Sequence, residues 1–140
     1  MWKSAAYLLP MKLNADVGEG VAGDEVLFRW IDMANVACGA HAGGVEEMQT
    51  AVDLAVSYGV AVGAHPGYQD REGFGRRSME LPPEEIGKLV REQVEALDVI
   101  CQGAGTRLQY VKPHGAMYHD MMANREVYQA ILQAMAQLPQ

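Results

Sequence analysis

The stretch Val60-Ala61-Val62-Gly63-Ala64-His65-Pro66 decides the fold of this chain. Its short apolar run, with two β-branched residues, is typical of a strand that is buried on both faces. Pro66 has no backbone N–H and ends the strand ladder, and the residue before a proline is held extended. The pattern therefore predicts a strand that places His65 at its C-terminal end.

The same layout recurs in three other stretches of the chain. Met11–Asp16 ends in an acid, Ala34–His41 ends in a histidine, and Leu108–His114 ends in Lys-Pro-His. Segments with helical spacing of apolar residues separate them. This alternation predicts an α/β protein with about four parallel β/α units, in which the polar strand ends form the site.

The helical segments are bounded by turn and cap signals. Asp24 is predicted to cap a first helix, Gly59 to end a second, and Asn124 to cap the last. Pro83 begins the third helix, with carboxylates in its first turn. The apolar residues assigned to the first helix are Val26, Leu27, Trp30, Ile31 and Met33, and the other ranges are 45–58, 83–102 and about 124–138. Trp30, Met33 and Met48 are interpreted as core residues.

Composition excludes several classes of protein. The 140 residues are enough for one ordinary domain, and we assign residues 1–10 to an N-terminal extension and residues 11–140 to that domain. A net charge of −7 disfavours nucleic acid or an anionic membrane as the main partner. Cys38 and Cys101 form no CxxC pair, which favours a reduced, cytoplasmic setting, and Cys38 is interpreted as a small buried residue.

Four parallel strands leave two unpaired edges. A closed barrel needs roughly twice this length. The chain is therefore predicted to be either an open sheet or the N-terminal part of a (β/α) barrel. Exposed edges favour pairing with another chain, so we expect a homo-oligomer.

Four ionisable residues follow the predicted strands and are candidates for catalysis. They are Asp16, His41, His65 and His114. Because neighbouring parallel strands lie about 4.8 Å apart, these side chains are expected to meet. Histidine and aspartate in this number suit a metal site and equally suit general acid–base catalysis, and the pattern leaves both open.

Basic residues accompany this acidic and histidine-rich set. Lys112 ends its strand among apolar neighbours and would supply a fixed positive charge for a carboxylate or phosphate. Arg71, Arg76 and Arg77 lie in the long loop after His65, and guanidinium groups match the oxygens of the same anions. Gly18-Glu19-Gly20 lacks the spacing of a nucleotide-binding fingerprint.

Five motifs resemble those of one known family, LamB/YcsF, which forms the A subunit of bacterial ATP-dependent 5-oxoprolinase. The resemblance runs from Met11 to the end and corresponds to the N-terminal half of the family or slightly more. The motifs are Leu13–Gly20, Asn35–Gly43, Gly63–Pro66, Asp70–Arg76 and Val111–Tyr118.

The resemblance implies a partial (β/α) barrel of the glycoside hydrolase/deacetylase type. It also implies cleavage of 5-oxo-L-proline to L-glutamate, driven by hydrolysis of ATP with Mg²⁺, together with subunits B and C. The family-type catalytic positions are Asp16, His41, His65, Lys112 and His114, and those for substrate or ATP are Asn14, Glu19, Asp70, Arg71 and Arg76.

One mechanism follows as a hypothesis. Lys112 and Arg76 would hold substrate carboxylate or phosphate oxygens, Asp16 and His65 would act as general base or hold a divalent ion, and His114 would protonate the leaving ring nitrogen. Two alternatives remain: a metal-dependent amide hydrolase or carbohydrate deacetylase that does not use ATP, and a non-catalytic assembly module.

Overall fold

The computed structural model describes residues 11–138, and the predicted extension, residues 1–10, lies outside the described residues. Strands and helices alternate over this range. The strands are β1 (Asn14–Val17), β2 (Met33–Ala37), β3 (Ala61–His65) and β4 (Leu108–Val111). The helices are α1 (Asp24–Phe28), α2 (Val45–Tyr58), α3 (Pro83–Gly103), α4 (Gly115–Ala123) and α5 (Arg125–Ala136).

The four strands form one sheet, and every neighbouring pair is parallel, in the order β1-β2-β3-β4. Asp16 pairs with Asn35, Asn35 with Gly63, and Gly63 with Tyr110. A register shift between Val62 and Gly63 lets the bulky Tyr110 lie opposite a glycine. The predicted parallel α/β sheet is confirmed.

The two faces of the sheet differ in polarity. Val17, Val36 and Val62 belong to the buried apolar core that the helices cover. Residues on strands alternate between faces, so Asp16 and Asn35 project from the opposite side. That side carries the polar residues of the strands and of the position after β4, together with a few small or apolar ones. The polar residues are Asn14, Asp16, Asn35, His65, Tyr110 and Lys112, and the others are Met33, Ala37, Ala61 and Gly63.

The first helix is shorter than its apolar spacing predicts. It ends at Phe28, and Met33 begins β2 instead of closing the helix. The core role predicted for Trp30 is wrong, because its side chain is 75 % exposed. Asp24 is the first helical residue rather than the cap, and its Oδ2 accepts a hydrogen bond from the Gly18 N–H. Phe28 fills the core position instead.

The segment after β4 holds a helix that the sequence patterns did not predict. Helix α4 begins directly after His114 and ends one residue before Asn124. The predicted cap is confirmed, since Asn124 Oδ1 accepts hydrogen bonds from the backbone of Glu126 and Val127. No helix within residues 11–138 is long and apolar enough to cross a membrane.

Candidate functional site

The charged residues at the strand ends converge on the polar side of the sheet. Asp16 Oδ2 lies 3.4 Å from His65 Nε2, and Asp16 Oδ1 accepts a hydrogen bond of 3.1 Å from Lys112 Nζ. His65 Nε2 lies 3.1 Å from His114 Nδ1. The histidine rings are buried, while the side chains of Asp16 and Lys112 are 39 % and 45 % exposed. A ligand can therefore reach the carboxylate and the ammonium from solvent.

His41 and Glu19 complete this cluster. The rings of His41 and His114 are stacked, with centroids 3.7 Å apart and planes 7° from parallel. His41 Nε2 lies 3.2 Å from Glu19 Oε1. One ligand atom each from Glu19, His41, His65 and His114 lies within 4.8 Å of the others. The predicted meeting of these side chains thus occurs, although they come from four different segments.

An amide network holds Asp16 in place, and sequence reasoning missed it. Asn35 is fully buried, and its Nδ2 donates to Asn14 Oδ1 at 2.8 Å and to Asp16 Oδ1 at 2.9 Å. Tyr110 OH donates to Asn35 Oδ1 at 2.6 Å. Gly63 makes room for the tyrosine, because a Cβ at Gly63 would overlap the Tyr110 ring. The alternation of side chains between the two faces of β1 and β2 could have indicated this role, since it places Asn35 beside Asp16 on the same face.

The backbone between β3 and α3 covers the histidines. Phe74 adopts a left-handed conformation with φ of 55°, a strained value for a residue with a side chain. In this position its carbonyl accepts a hydrogen bond of 2.7 Å from His114 Nε2, and its ring packs edge-on against His41. A Cβ at Gly75 would come within 2.7 Å of His41 Cβ, so this loop can approach closely only with glycine there.

Asp70 and Arg71 hold this loop together. Asp70 accepts hydrogen bonds from Arg77 and from the Gly73 N–H. Arg71 Nη1 donates to the carbonyl oxygens of Gly39 and Gly43, both at 2.8 Å. The contacts of Asp70 and Arg71 are therefore within the protein, and their predicted contact with substrate or ATP stays a prediction.

The remaining predicted binding residues lie at the rim of the site. The Arg76 guanidinium lies over the Phe74 ring, 5.6 Å from its centroid, and is exposed. Asn14 is exposed and accepts the hydrogen bond from Asn35. Both side chains have polar atoms available to a ligand.

The electrostatics of the cluster favour an ionised Asp16 and a neutral His114. The contact with His65 holds the pKa of Asp16 far below its usual value, with further help from Asn35 and Lys112. Burial lowers the pKa of His114. Burial also raises the pKa of Cys38 to about 12, which fits the prediction that this thiol is a buried, unreactive residue.

The geometry supplies several parts of a hydrolytic site. A carboxylate and imidazole nitrogens can hold or deprotonate water, and a lysine ammonium beside them can bind an anionic oxygen. The same nitrogen and oxygen donors can also hold a divalent metal ion.

The chain matches one known protein family and is similar in sequence to several named proteins. A family model described as the LamB/YcsF family matches residues 11–140. The chain is 52 % identical over 129 residues to the A subunit of 5-oxoprolinase from Pseudomonas fluorescens, covering 89 % of the chain and 52 % of the relative. It is 42 % identical over 131 residues to the protein of the same name from Vibrio cholerae, covering 90 % and 53 %.

The fold of the chain is similar to that of a solved structure. The crystal structure of a lactam utilization protein from Thermus thermophilus superimposes with a TM-score of 0.88 at 43 % identity, covering 91 % of this chain and 53 % of that one. The chain therefore spans about half the length of the relatives it matches.

Proposed function

Because the chain belongs to the LamB/YcsF family, we propose that it carries part of the amide-cleaving site of a 5-oxoprolinase. The reaction would be hydrolysis of 5-oxo-L-proline to L-glutamate. In this proposal the cleavage is coupled to hydrolysis of ATP with Mg²⁺, and the chain acts with subunits B and C in the cytoplasm. The chain would contribute the first four β/α units of the barrel.

One observation carries this proposal. Asp16, His65 and Lys112 come from three separate strand ends, yet they form a continuous chain of polar contacts of 3.1 and 3.4 Å. Opening a lactam requires attack by water on an unreactive amide carbon and a positive charge near the developing anion. The cluster presents groups for both tasks on the open face of the sheet.

The contacts of His65, Lys112 and His114 suggest a separate role for each residue in the proposed reaction. His65 Nδ1 donates to the Lys112 carbonyl at 2.6 Å, which leaves the Nε2 lone pair directed towards Asp16 and His114, where it could hold water or an ion. The Lys112 ammonium would bind the substrate carboxylate. Both ring nitrogens of His114 contact other protein groups, so the structure favours a supporting role for it over donation of a proton to the ring nitrogen.

The test is an assay of glutamate release from 5-oxo-L-proline, with and without ATP, using this chain purified together with candidate B and C subunits. We expect His65→Ala to abolish release and Lys112→Gln to raise KM more than it lowers kcat. His119→Ala is the matched control, because His119 is exposed and outside the cluster. Unchanged release by both His65→Ala and Lys112→Gln would overturn the proposal.

A second candidate function is a metal-dependent hydrolase of amides or acetylated sugars that needs no ATP. The observation that favours it is the grouping of three histidines with Glu19. Amide cleavage that persists without ATP and is lost on chelation would select this function over the first.

A further inference from the structure

His65 and His114 are held in defined tautomers by backbone carbonyl groups. His65 Nδ1 lies 2.6 Å from the Lys112 carbonyl oxygen, and His114 Nε2 lies 2.7 Å from that of Phe74. A carbonyl oxygen only accepts hydrogen bonds, so each of these nitrogens carries a hydrogen. In the neutral rings the lone pairs are then on His65 Nε2 and His114 Nδ1.

These two lone pairs face each other across 3.1 Å. Asp16 Oδ2 is 3.4 Å from His65 Nε2, and a Glu19 oxygen belongs to the same cluster within 4.8 Å. Two imidazole lone pairs thus face each other with no hydrogen donor between them, and the carboxylates of Asp16, beside His65, and of Glu19, near both rings, flank them. Such a set of acceptors requires an electropositive species among them, either a proton or a metal cation.

The distances fit a metal ion. Adjacent ligands of a tetrahedral ion with bonds of about 2.0–2.1 Å are about 3.3 Å apart. The separations of 3.1 Å between His65 and His114 and of 3.4 Å between His65 and Asp16 lie on either side of that value. In addition, a histidine that ligates a metal usually donates its other ring N–H to a carbonyl or carboxylate, as both histidines do here.

His41 is close to the same point but has a different role. Its ring is stacked on that of His114, 7° from parallel, so an ion in the plane of His114 lies outside the plane of His41. A histidine lone pair lies in the ring plane, and His41 is therefore badly oriented to ligate that ion. Its Nε2 instead contacts Glu19 Oε1 at 3.2 Å and orients that carboxylate.

We propose that this cluster binds one divalent transition-metal ion of the zinc type. His65 Nε2 and His114 Nδ1 are the nitrogen ligands, the carboxylates of Asp16 and Glu19 are the oxygen ligands, and His41 is a positioning residue for Glu19. Mixed imidazole and carboxylate donors suit zinc and its neighbours rather than Mg²⁺, so this site is distinct from the Mg²⁺ that would accompany ATP in the proposed function. Binding rests on the geometry alone, and only its use in amide cleavage rests on the proposed function.

The test measures metal binding by the full chain without substrate. After removal of metal with a chelator, the chain is titrated with Zn²⁺ by calorimetry, and folding is checked by circular dichroism. We expect one equivalent per chain, a loss of more than about 100-fold in affinity for His65→Ala and for His114→Ala, and a loss of about 10- to 100-fold for His41→Ala. His119→Ala is the control and should bind as the unsubstituted chain does.

Two outcomes would overturn the proposal. The first is the absence of stoichiometric Zn²⁺ binding to the folded chain, which would mean that the two histidines share only a proton. The second is equal affinity in the His65→Ala variant, the His114→Ala variant and the unsubstituted chain. If the variants do not fold, X-ray absorption of the Zn²⁺-loaded chain decides, with two imidazoles and no sulfur expected. Because no substrate is present, failure here is separate from failure of the glutamate assay.

Discussion

Removal of the Asn35 side chain should show how much the buried amide network contributes to stability. Asn35 is fully buried and makes three side-chain hydrogen bonds, to Asn14, to Asp16 and from Tyr110. Asn35→Ala removes all three and leaves the Tyr110 hydroxyl and Asp16 with one partner fewer. Asp16 keeps its contacts with Lys112 and His65, so the site loses support without losing its charge.

The expected loss can be worked from these contacts. The bond to the charged Asp16 contributes about 1.5–3 kcal/mol and the bond from Tyr110 about 1 kcal/mol. Asn14 is exposed, so water replaces the third bond at little cost. We therefore expect Asn35→Ala to lower the free energy of unfolding by about 3 kcal/mol. Tyr110→Phe leaves the Asn35 oxygen buried without a donor and should cost about 2 kcal/mol.

The measurement is a double-mutant cycle by urea denaturation, monitored by circular dichroism. Because both single variants break the same hydrogen bond, the double variant should cost about 1 kcal/mol less than the two single losses together. Gln49→Ala is the control, since the exposed Gln49 amide contacts Asp53 within one helix, and its loss should be below about 0.5 kcal/mol. A loss below about 1 kcal/mol for Asn35→Ala, or strict additivity in the cycle, would refute the reasoning.

Three further predictions concern the sheet, the loop and the buried thiol. Gly63→Ala should lower the free energy of unfolding in urea by about 1–3 kcal/mol, because the new methyl overlaps Tyr110, whereas Gly103→Ala, where the space is open, should be near neutral. Arg77 lowers the pKa of Asp70 to about 2 from a usual value of 3.8. The ionised Asp70 carboxylate therefore stabilises the fold above about pH 4, and this stabilisation is lost as the pH falls towards 2. The Tm of Asp70→Asn should therefore lie below that of the unsubstituted chain at pH 7 and approach it over that range, and a constant gap would contradict this. Because burial raises the pKa of Cys38 to about 12, a thiol reagent should label it far more slowly in the folded chain than in urea, and equal rates would show that the thiol is accessible.

The strands and the longer helices could be predicted because their signals are local. The apolar run before His65 and the glycine that ends α2 depend on residues within a few positions of each other. Trp30 was placed wrongly because helical spacing alone does not reveal where a short helix ends. Helix α4 was missed because its mixture of small, polar and apolar residues has weak amphipathic character.

The part of the candidate site that lies at the C-terminal ends of the strands could be predicted from the sequence. In a parallel sheet the C-terminal ends of all strands meet at one edge, so Asp16, His65 and Lys112 were expected to approach each other. Asn35 and Tyr110 were missed, because their pairing depends on the register of β2, β3 and β4. The contacts of Asp70 and Arg71 that hold the loop depend on residues distant in sequence, and their binding of a ligand stays a prediction.

The order of apolar runs, turns and caps along the chain determined that it forms parallel β/α units with histidines at the strand ends, since these preferences act between near neighbours. Only the folded structure decided that His65 Nε2 faces His114 Nδ1. It also decided that the His41 ring stacks on the His114 ring instead of directing a nitrogen at the same point. The physical reason is that a ring's orientation is set by hydrogen bonds to carbonyls such as those of Phe74 and Lys112, which are distant in sequence and become neighbours only after the loop and the strands have packed.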